Sequence, residues 1–428
     1  MTILFNIIFV VFLFFYLPFF LFKKRKRKGI RIRLGIYSSG LVSRLAGRKN
    51  IWIHAVSVGE VIAVAPLIEN IRQRHPGYRI VFSTVTETGN SAAKKILLKD
   101  DIDLYLPFDL SFITRKVIDY IKPVFLVLTE TELWPNLILT AHKMNVKIFL
   151  VNGRISDSSF RRYKIARPFL ASALRNIDLL CMQTEEYGQR MALLGAHRSR
   201  IAVSGNMKFD SAFLDDISDQ HREILRQTLC LHSGERLMVA GSTHPGEEHI
   251  ILSAYSKLKT QFPQLRLIMA PRHIERAHHI MNIVGRLQLD AVFFSRLSEV
   301  SRAVSSHVII LDVIGRLKDL YSIADIVFVG GSLVRKGGQN MIEPAVFAKA
   351  IVLGPYTHNF RDIVDMFLEK QAVMIAESEE SLVGVIEGLL KDKDSAKRLG
   401  QKARSVVESN RGAAERTLRL IENEGIFL

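Results

Sequence analysis

Two short apolar runs in this chain end in carboxylates of the right type and position to move a proton. His54-Ala55-Val56 leads into Ser57-Val58-Gly59-Glu60, and the run at 124–128 leads into Thr129-Glu130-Thr131-Glu132-Leu133-Trp134-Pro135. Ser57 to Glu60 fits S-x-x-E, the reciprocal cap that opens a helix. Glu60 therefore reads either as a cap or as a carboxylate beside a glycine that lets a ligand approach the backbone. Thr129 to Glu132 fits the same pattern, which assigns Glu132 to capping and leaves Glu130 without a structural duty. An acid with no such duty at the carboxyl end of a strand is the stronger candidate of the two for chemistry.

Further along, the apolar run at 265–270 reaches Pro271-Arg272-His273, where a guanidinium could fork two phosphate oxygens or simply be solvated. Val329-Gly330-Gly331-Ser332 and Gly337-Gly338-Gln339-Asn340-Met341-Ile342-Glu343-Pro344 supply a glycine-rich turn ahead of a helix. Such a turn offers free N–H groups and a positive dipole end to a phosphate, at a cost in chain entropy that few backbones bear without need. Asn340 to Glu343 also reads as a plain cap. The chain has no G-x-x-x-x-G-K-[ST], no G-x-G-x-x-G after a strand and no H-E-x-x-H, and no metal site is expected. His278 and His279 are adjacent and so face different ways on a helix.

The elements that must position these residues alternate. Runs at 51–56, 79–83, 124–128, 147–151 and 179–182 read as buried strands, separated by helical patterns such as 61–73 and 134–143. The alternation lapses at 206–233 and resumes with 237–240, 265–270, 308–311, 326–329 and 350–353, before helices from 380 onward close the chain. This predicts an α/β protein of two doubly wound parallel sheets: a unit over 29–205, a connector over 206–233 and a second unit over 234–428. Ligands in such folds sit beyond the carboxyl ends of the strands.

Residues 3–22 are apolar apart from Asn6, Tyr16 and Pro18, and Lys23-Lys24-Arg25-Lys26-Arg27-Lys28 follows. That order predicts a transmembrane anchor over 1–28, just long enough to cross the bilayer, with the rest of the chain on the cytoplasmic face. Of the 59 basic residues, eleven lie in the stretch that ends at Lys49, and no acid precedes Glu60. The other 48 stand against all 42 acids, which leaves +6 of the net +17. The basicity is thus mostly a membrane flank, and no nucleic-acid partner is expected. Phe160-Arg161-Arg162-Tyr163-Lys164 and Arg167-Pro168-Phe169 interleave aromatics with cations, as a solvated helix face or a lipid-facing surface would. Cys181 and Cys230 are too few for a disulfide framework.

Taken in order behind the N-terminal segment, these stretches, with Asn152-Gly153-Arg154, Gly205-Asn206-Met207-Lys208 and Gly241-Ser242-Thr243, resemble the Kdo (3-deoxy-D-manno-octulosonic acid) transferases. The resemblance covers nearly the whole chain. It implies a GT-B fold, two Rossmann-like domains facing a cleft, and metal-independent, inverting transfer of Kdo from CMP-Kdo to a lipid A precursor. It implies Glu60 as catalytic base, with Glu130 and Lys208 assisting the transition state. CMP-Kdo would lie against Pro271, Arg272, Gly315, Arg316, Leu317, Asn340, Met341, Ile342 and Glu343. It also implies no cofactor, an inner-membrane location, and membrane lipids as partners. Two departures stand out: the family usually has an acid where Arg316 stands, and Pro-Leu where Met341-Ile342 stand. The competing readings are another nucleotide-sugar transferase or epimerase of the same fold, and a non-enzymatic basic membrane scaffold.

Overall fold

The computed structural model describes residues 5–7, 29–213, 217–297 and 307–427, in two compact units. One unit comprises Met1–Leu214 with Asn410–Leu428, and the other Asp215–Ser409.

The first unit is built on the strands β1 (Lys49–His54), β2 (Tyr78–Thr84), β3 (Ile102–Tyr105), β4 (Pro123–Thr129), β5 (Lys147–Gly153), β6 (Leu179–Met182) and β7 (Ile201–Val203). They pair in parallel in the order β3-β2-β1-β4-β5-β6-β7. Both faces of this sheet are covered, which is why its central strands are continuous apolar runs. Trp52, Leu126, Leu128, Ile148 and Leu150 point into one layer; Ile51, Ile53, Phe125, Val127, Phe149 and Val151 point into the other.

The second unit repeats the plan with β8 (Arg236–Thr243), β9 (Leu265–Pro271), β10 (Ala291–Phe293), β11 (Val308–Ile310), β12 (Ile326–Val329), β13 (Ala350–Leu353) and β14 (Met374–Ile375). The order is β10-β11-β9-β8-β12-β13-β14, again parallel. In each sheet the winding reverses beside the first strand, between β1 and β4 and between β8 and β12. Diverging connections leave a crevice at such a point.

The central strands lie where the apolar runs predict them. The short edge strands β3, β7, β10 and β14 have no counterpart among those runs; Ile102-Asp103-Leu104-Tyr105, for instance, alternates and is half covered. The connector expected over 206–233 is divided between the units. The short helix Lys208–Ser211 belongs to the first, and the helix Asp219–Thr228 to the second.

The assignment of 234–428 to one domain also needs correction at its end. The helix Ala413–Glu422 returns to the first unit, where Ala413, Ala414, Leu418 and Ile421 join the layer that holds Val61, Val64, Leu67, Ile68 and Ile71. Asp210 caps the returning helix, accepting from Gly412 N at 2.6 Å and Ala414 N at 2.9 Å. Arg74 bonds Glu422 at 3.0 Å and also pairs with Glu415, and Phe427 stacks on His75 at 3.7 Å.

The predicted anchor lies outside the described residues except for Phe5-Asn6-Ile7, and among the described residues no helix is long and apolar enough to cross a membrane. Asn6 is tied to the first unit: its amide donates to Ser111 Oγ at 2.8 Å, and its carbonyl accepts from Ser111 N at 3.0 Å and Asn136 Nδ2 at 3.1 Å. At the far end of the segment Gly29, with φ 81°, packs against the Tyr105 ring so closely that a Cβ would lie 2.1 Å from it.

Leu418 is fully buried. Leu418→Ala is expected to destabilise the first unit by about 2–5 kcal/mol, the usual cost of such a cavity. Trp52 and Trp134 are the only tryptophans and both belong to this unit, so tryptophan fluorescence during denaturant unfolding reads the effect directly. An unshifted fluorescence transition would show that the helix does not support this unit.

Candidate functional site

At the reversal between β1 and β4 the backbone turns out of the sheet on both strands. After β1 the helix Val58–Arg74 begins, with Ser57 at its N-cap accepting from Glu60 N at 3.4 Å. The carboxylate of Glu60 reaches back beyond a simple cap. Its Oε2 accepts from Val56 N at 2.8 Å and from Thr129 Oγ1 at 3.2 Å, and its Oε1 accepts from Ser57 Oγ at 2.8 Å. Thr129 Oγ1 also bonds the His54 carbonyl at 2.9 Å, so one hydroxyl ties the ends of both strands to this carboxylate. Burial raises the Glu60 pKa above the usual carboxylate range. The Val56 N–H and the Ser57 and Thr129 hydroxyls pull it back down, and Glu130 adds a raising charge. Ser57 thus caps the Glu60 N–H, while the Glu60 carboxylate does not return to the Ser57 N–H and lies at the crevice.

Glu130 stands in left-handed backbone, φ 52°, a conformation unfavourable for a side chain with a Cβ and common at functional turns. The turn is held by Glu130 N donating to Val151 O at 2.9 Å and by Thr131 bonding the Arg154 carbonyl. It presents Glu130 to Lys208, whose ammonium lies 3.1 Å from Oε1. Lys208 arrives by way of Asn152, which is left-handed at φ 53° and accepts from Met207 N at 3.0 Å. Glu60, Glu130 and Lys208, far apart in the chain, therefore belong to one site.

Glu132 is not the helix cap that its spacing from Thr129 suggests. The helix begins at Pro135 with Trp134 at its N-cap. Its first N–H groups, those of Asn136 and Leu137, are taken by the buried Asp109 carboxylate at 3.1 and 2.7 Å. Glu132 instead accepts from Trp134 Nε1 at 3.1 Å, and its pKa is raised to about 7 by burial first and then by the Glu60 charge. His54, fully buried, bonds Ser83 through Nδ1 at 3.0 Å, and burial lowers its pKa to about 3, so it is a neutral wall of the site.

The crevice of the second unit has the opposite character. Near the end of β8 Ser242 is in left-handed backbone, φ 56°, and after β12 Gly330 passes so close that a Cβ would lie 2.4 Å from the Ser242 carbonyl oxygen. Gly337 and Gly338, at φ 89° and 77°, shape the following loop. A residue that sequence reasoning missed organises these pieces. Glu247, wholly buried at the start of the helix Glu247–Gln261, accepts from His244 N at 2.7 Å, Gly331 N at 2.5 Å and Leu333 N at 3.3 Å. The only local signal is a pair of acids, Glu247-Glu248, behind a glycine, which reads as ordinary helix-dipole compensation. Gln339 bonds His244 across the same loop at 3.2 Å.

Arg272 is exposed at the end of β9, its N–H bonded to the Thr243 carbonyl at 2.9 Å and its guanidinium without an ion pair among the described residues. His273, Lys336 and Arg272 all act on His244 and lower its pKa, after burial, which marks this crevice as cationic. Asn340 folds over its own loop, accepting from Ile342 N at 3.1 Å and donating to Glu343 Oε1 at 3.0 Å. Met341 and Ile342 are fully buried, and burial raises the Glu343 pKa. Gly315 is left-handed at φ 89°, and Arg316 turns along its helix to Asp319 at 3.1 Å. Among the described residues no group of His, Cys, Asp and Glu side chains is arranged to hold a metal ion.

One doubly wound unit thus carries an anionic, hydrogen-bonded carboxylate site and the other a cationic, glycine-lined loop, and the relatives of this chain place it among the glycosyltransferases. The family model for 3-Deoxy-D-manno-octulosonic-acid transferase (kdotransferase) matches residues 28–211. The 3-deoxy-D-manno-octulosonic acid transferase of Haemophilus influenzae is 34% identical over 93% of this chain and 92% of its own length. The chain belongs to the 3-deoxy-D-manno-octulosonic-acid transferase family. A bifunctional glycosyltransferase/methyltransferase of Fusobacterium nucleatum is 36% identical over 90% of this chain, which spans 58% of that longer protein. A UDP-GlcNAc 2-epimerase from Neisseria meningitidis superposes with a TM-score of 0.62 over 86% of this chain and all of its own, at 12% identity; it shares the fold.

Glu247→Gln replaces an acceptor of three N–H groups with an amide that has a single oxygen and brings two donors of its own. Each N–H left without a partner costs about 1–3 kcal/mol. The variant is expected to melt earlier in the second unit and to bind nucleotide more weakly, measured by thermal shift with and without CMP. Unchanged melting and affinity would show that the loop is held by other means.

Proposed function

We propose that this protein transfers Kdo from CMP-Kdo to a lipid A precursor by direct, inverting displacement. The observation that carries the reading is the Glu60 carboxylate, buried at the β1–β4 reversal yet with a lone pair of Oε1 left unused by Ser57. In the reaction the bond from the Kdo anomeric carbon to the CMP phosphate breaks and the acceptor hydroxyl forms the new one. The hydroxyl proton passes to Glu60, and CMP leaves with the electron pair. The anomeric centre develops oxocarbenium character, and Glu130, held by Lys208, supplies a fixed negative charge to it.

On the second unit, Arg272 and the loop N–H groups would receive the phosphate, with Pro271 against the base and Asn340-Met341-Ile342-Glu343 at the ribose side. Because Arg316 pairs with Asp319, the contact proposed at Gly315-Arg316-Leu317 is through the backbone and not the guanidinium. Donors already in place stabilise the leaving phosphate without reorganisation. No metal or other cofactor is invoked.

Glu60→Gln tests the central assignment. Glutamine can keep its oxygen on Val56 N and turn its amide NH2 to the Ser57 hydroxyl, which can accept, so folding and CMP binding are expected to persist, while Kdo transfer falls by roughly two to four orders of magnitude. Near-normal transfer by the folded variant would remove Glu60 as the base, and tighter binding of UDP than CMP to the wild type would remove the donor.

We also propose that the N-terminal segment and its basic flank attach the protein to the inner membrane on the cytoplasmic side. Ile165, 85% exposed, and Phe169 lie among Arg161, Arg162, Lys164 and Arg167 as an apolar and cationic surface suited to anionic headgroups, and the Phe5 ring lies 6.4 Å from that of Phe169. The contacts of Asn6 and of Gly29 with the same unit favour attachment from one face over a single crossing, which would part its two ends by roughly 30 Å. Removing residues 1–28 is expected to release most of the protein from membranes in high salt. In intact spheroplasts a Thr2→Cys variant is expected to resist impermeant thiol reagents; prompt labelling from outside would restore the single crossing.

A further inference from the structure

Glu132 is the one carboxyl of the first unit's site with neither a structural duty nor a cation. We propose that it enters the reaction as the neutral acid and donates a hydrogen bond to an oxygen of the bound sugar substrate, an inference that rests on the transfer reading of this site. The geometry first frees the side chain. Neither half of the expected cap forms: the Thr129 hydroxyl is spent on the His54 carbonyl and on Glu60, and the helix begins only at Pro135, where Asp109 takes its first N–H groups.

The partners of the three glutamates then separate them. Glu130 has the Lys208 ammonium at 3.1 Å. Glu60 has a backbone N–H and two hydroxyls. Glu132 has a single neutral donor, Trp134 Nε1 at 3.1 Å on Oε2, and among the described residues its Oε1 receives none. The groups that face it are Glu60 and Glu130, both acidic, and Tyr163 on the helix Asp157–Ile165, whose own pKa is raised by burial and by the Glu132 charge. Arg162, on that helix, acts on Tyr163, and His54 beside Trp134 is neutral.

Three carboxyls thus share one ammonium, and the least supported of them keeps its proton. The pKa of about 7 agrees in direction, with burial the larger cause. Carboxyls whose surroundings push their pKa values apart take different roles: here Glu60 receives a proton while Glu132 holds one. A neutral O–H also spares an anionic sugar acid a third negative charge. The proton on Glu132 is retained throughout, so the atom balance of the transfer is unchanged.

The pH dependence of kcat/KM tests this. A raised carboxyl pKa means the active, protonated form is lost as pH rises through about 7, so the wild type is expected to decline on the alkaline side of that value. Glu132→Gln, a donor at every pH, is expected to be slower by less than about tenfold on the acid side and to lack the alkaline decline. Glu132→Ala, which donates nothing, should be roughly ten- to a hundredfold slower at all pH values. A Gln variant that folds, binds CMP and keeps the wild-type alkaline limb would overturn the proposal, as would one inactive at every pH. A readout without turnover separates this from failure of the transfer reading: carbon NMR titration of the Glu132 carboxyl, in which Glu60→Gln should lower its pKa. An ordinary carboxylate value in the wild type would refute the proposal whatever reaction the protein catalyses.

Discussion

The hydroxyl of Thr129 lies between the His54 carbonyl at the end of β1 and the Glu60 carboxylate at the start of the next helix. It sits on β4, the strand on the other side of the point where the winding reverses. Parallel strands on either side of such a reversal send their connections to opposite faces, so their ends are not covered by a common loop. One hydroxyl closes that gap and fixes the carboxylate against both strands. The left-handed turn at Glu130, the approach of Lys208 and the freedom of Glu132 all follow from where this junction places the backbone after β4.

The second unit solves the same problem with a charge of the same sign used differently. Glu247 is buried and fully engaged by three N–H groups, so it serves the loop and not a ligand. The surface that remains outward is cationic, from Arg272 and Lys336. In the first unit the hydrogen bonds leave carboxyl oxygens available. Glu60 and Glu247 each accept from three donors, but those of Glu247 are all backbone N–H groups fixed by the loop, whereas two of those of Glu60 are side-chain hydroxyls that can turn away.

The return of the last helix to the first unit binds the two ends of the chain into one body. Its support is mixed: the apolar stripe of Ala413, Ala414, Leu418 and Ile421 supplies the burial, while Asp210 and Arg74 set where the helix begins and how it lies. Because Asp210 follows Lys208 by two residues, the cap that holds this helix lies next to the residue that holds Glu130. Loss of the terminal helix would loosen a segment that positions the site.

Much of this protein is legible in its sequence. The central strands announce themselves because both faces of a parallel sheet are buried, so their residues form unbroken apolar runs. The glycines of the 330–338 loop stand out because each removes a side chain at some cost. The ordered motifs point to the family. The edge strands are silent because half-covered backbone tolerates any residue, and the destination of the final helix is silent because an apolar stripe does not name its partner. The two capping boxes show the limit most clearly. Ser57 to Glu60 and Thr129 to Glu132 obey the same local rule, and the first forms by half: Ser57 caps the Glu60 N–H, while the Glu60 carboxylate reaches Val56 N and the Ser57 hydroxyl. The second fails because the chain turns left-handed at Glu130 and the helix starts only at Pro135, where Asp109, twenty-seven residues before Asn136, takes its first N–H groups. A local pattern states what a side chain can bond, and only the folded chain decides which competitor reaches the donor.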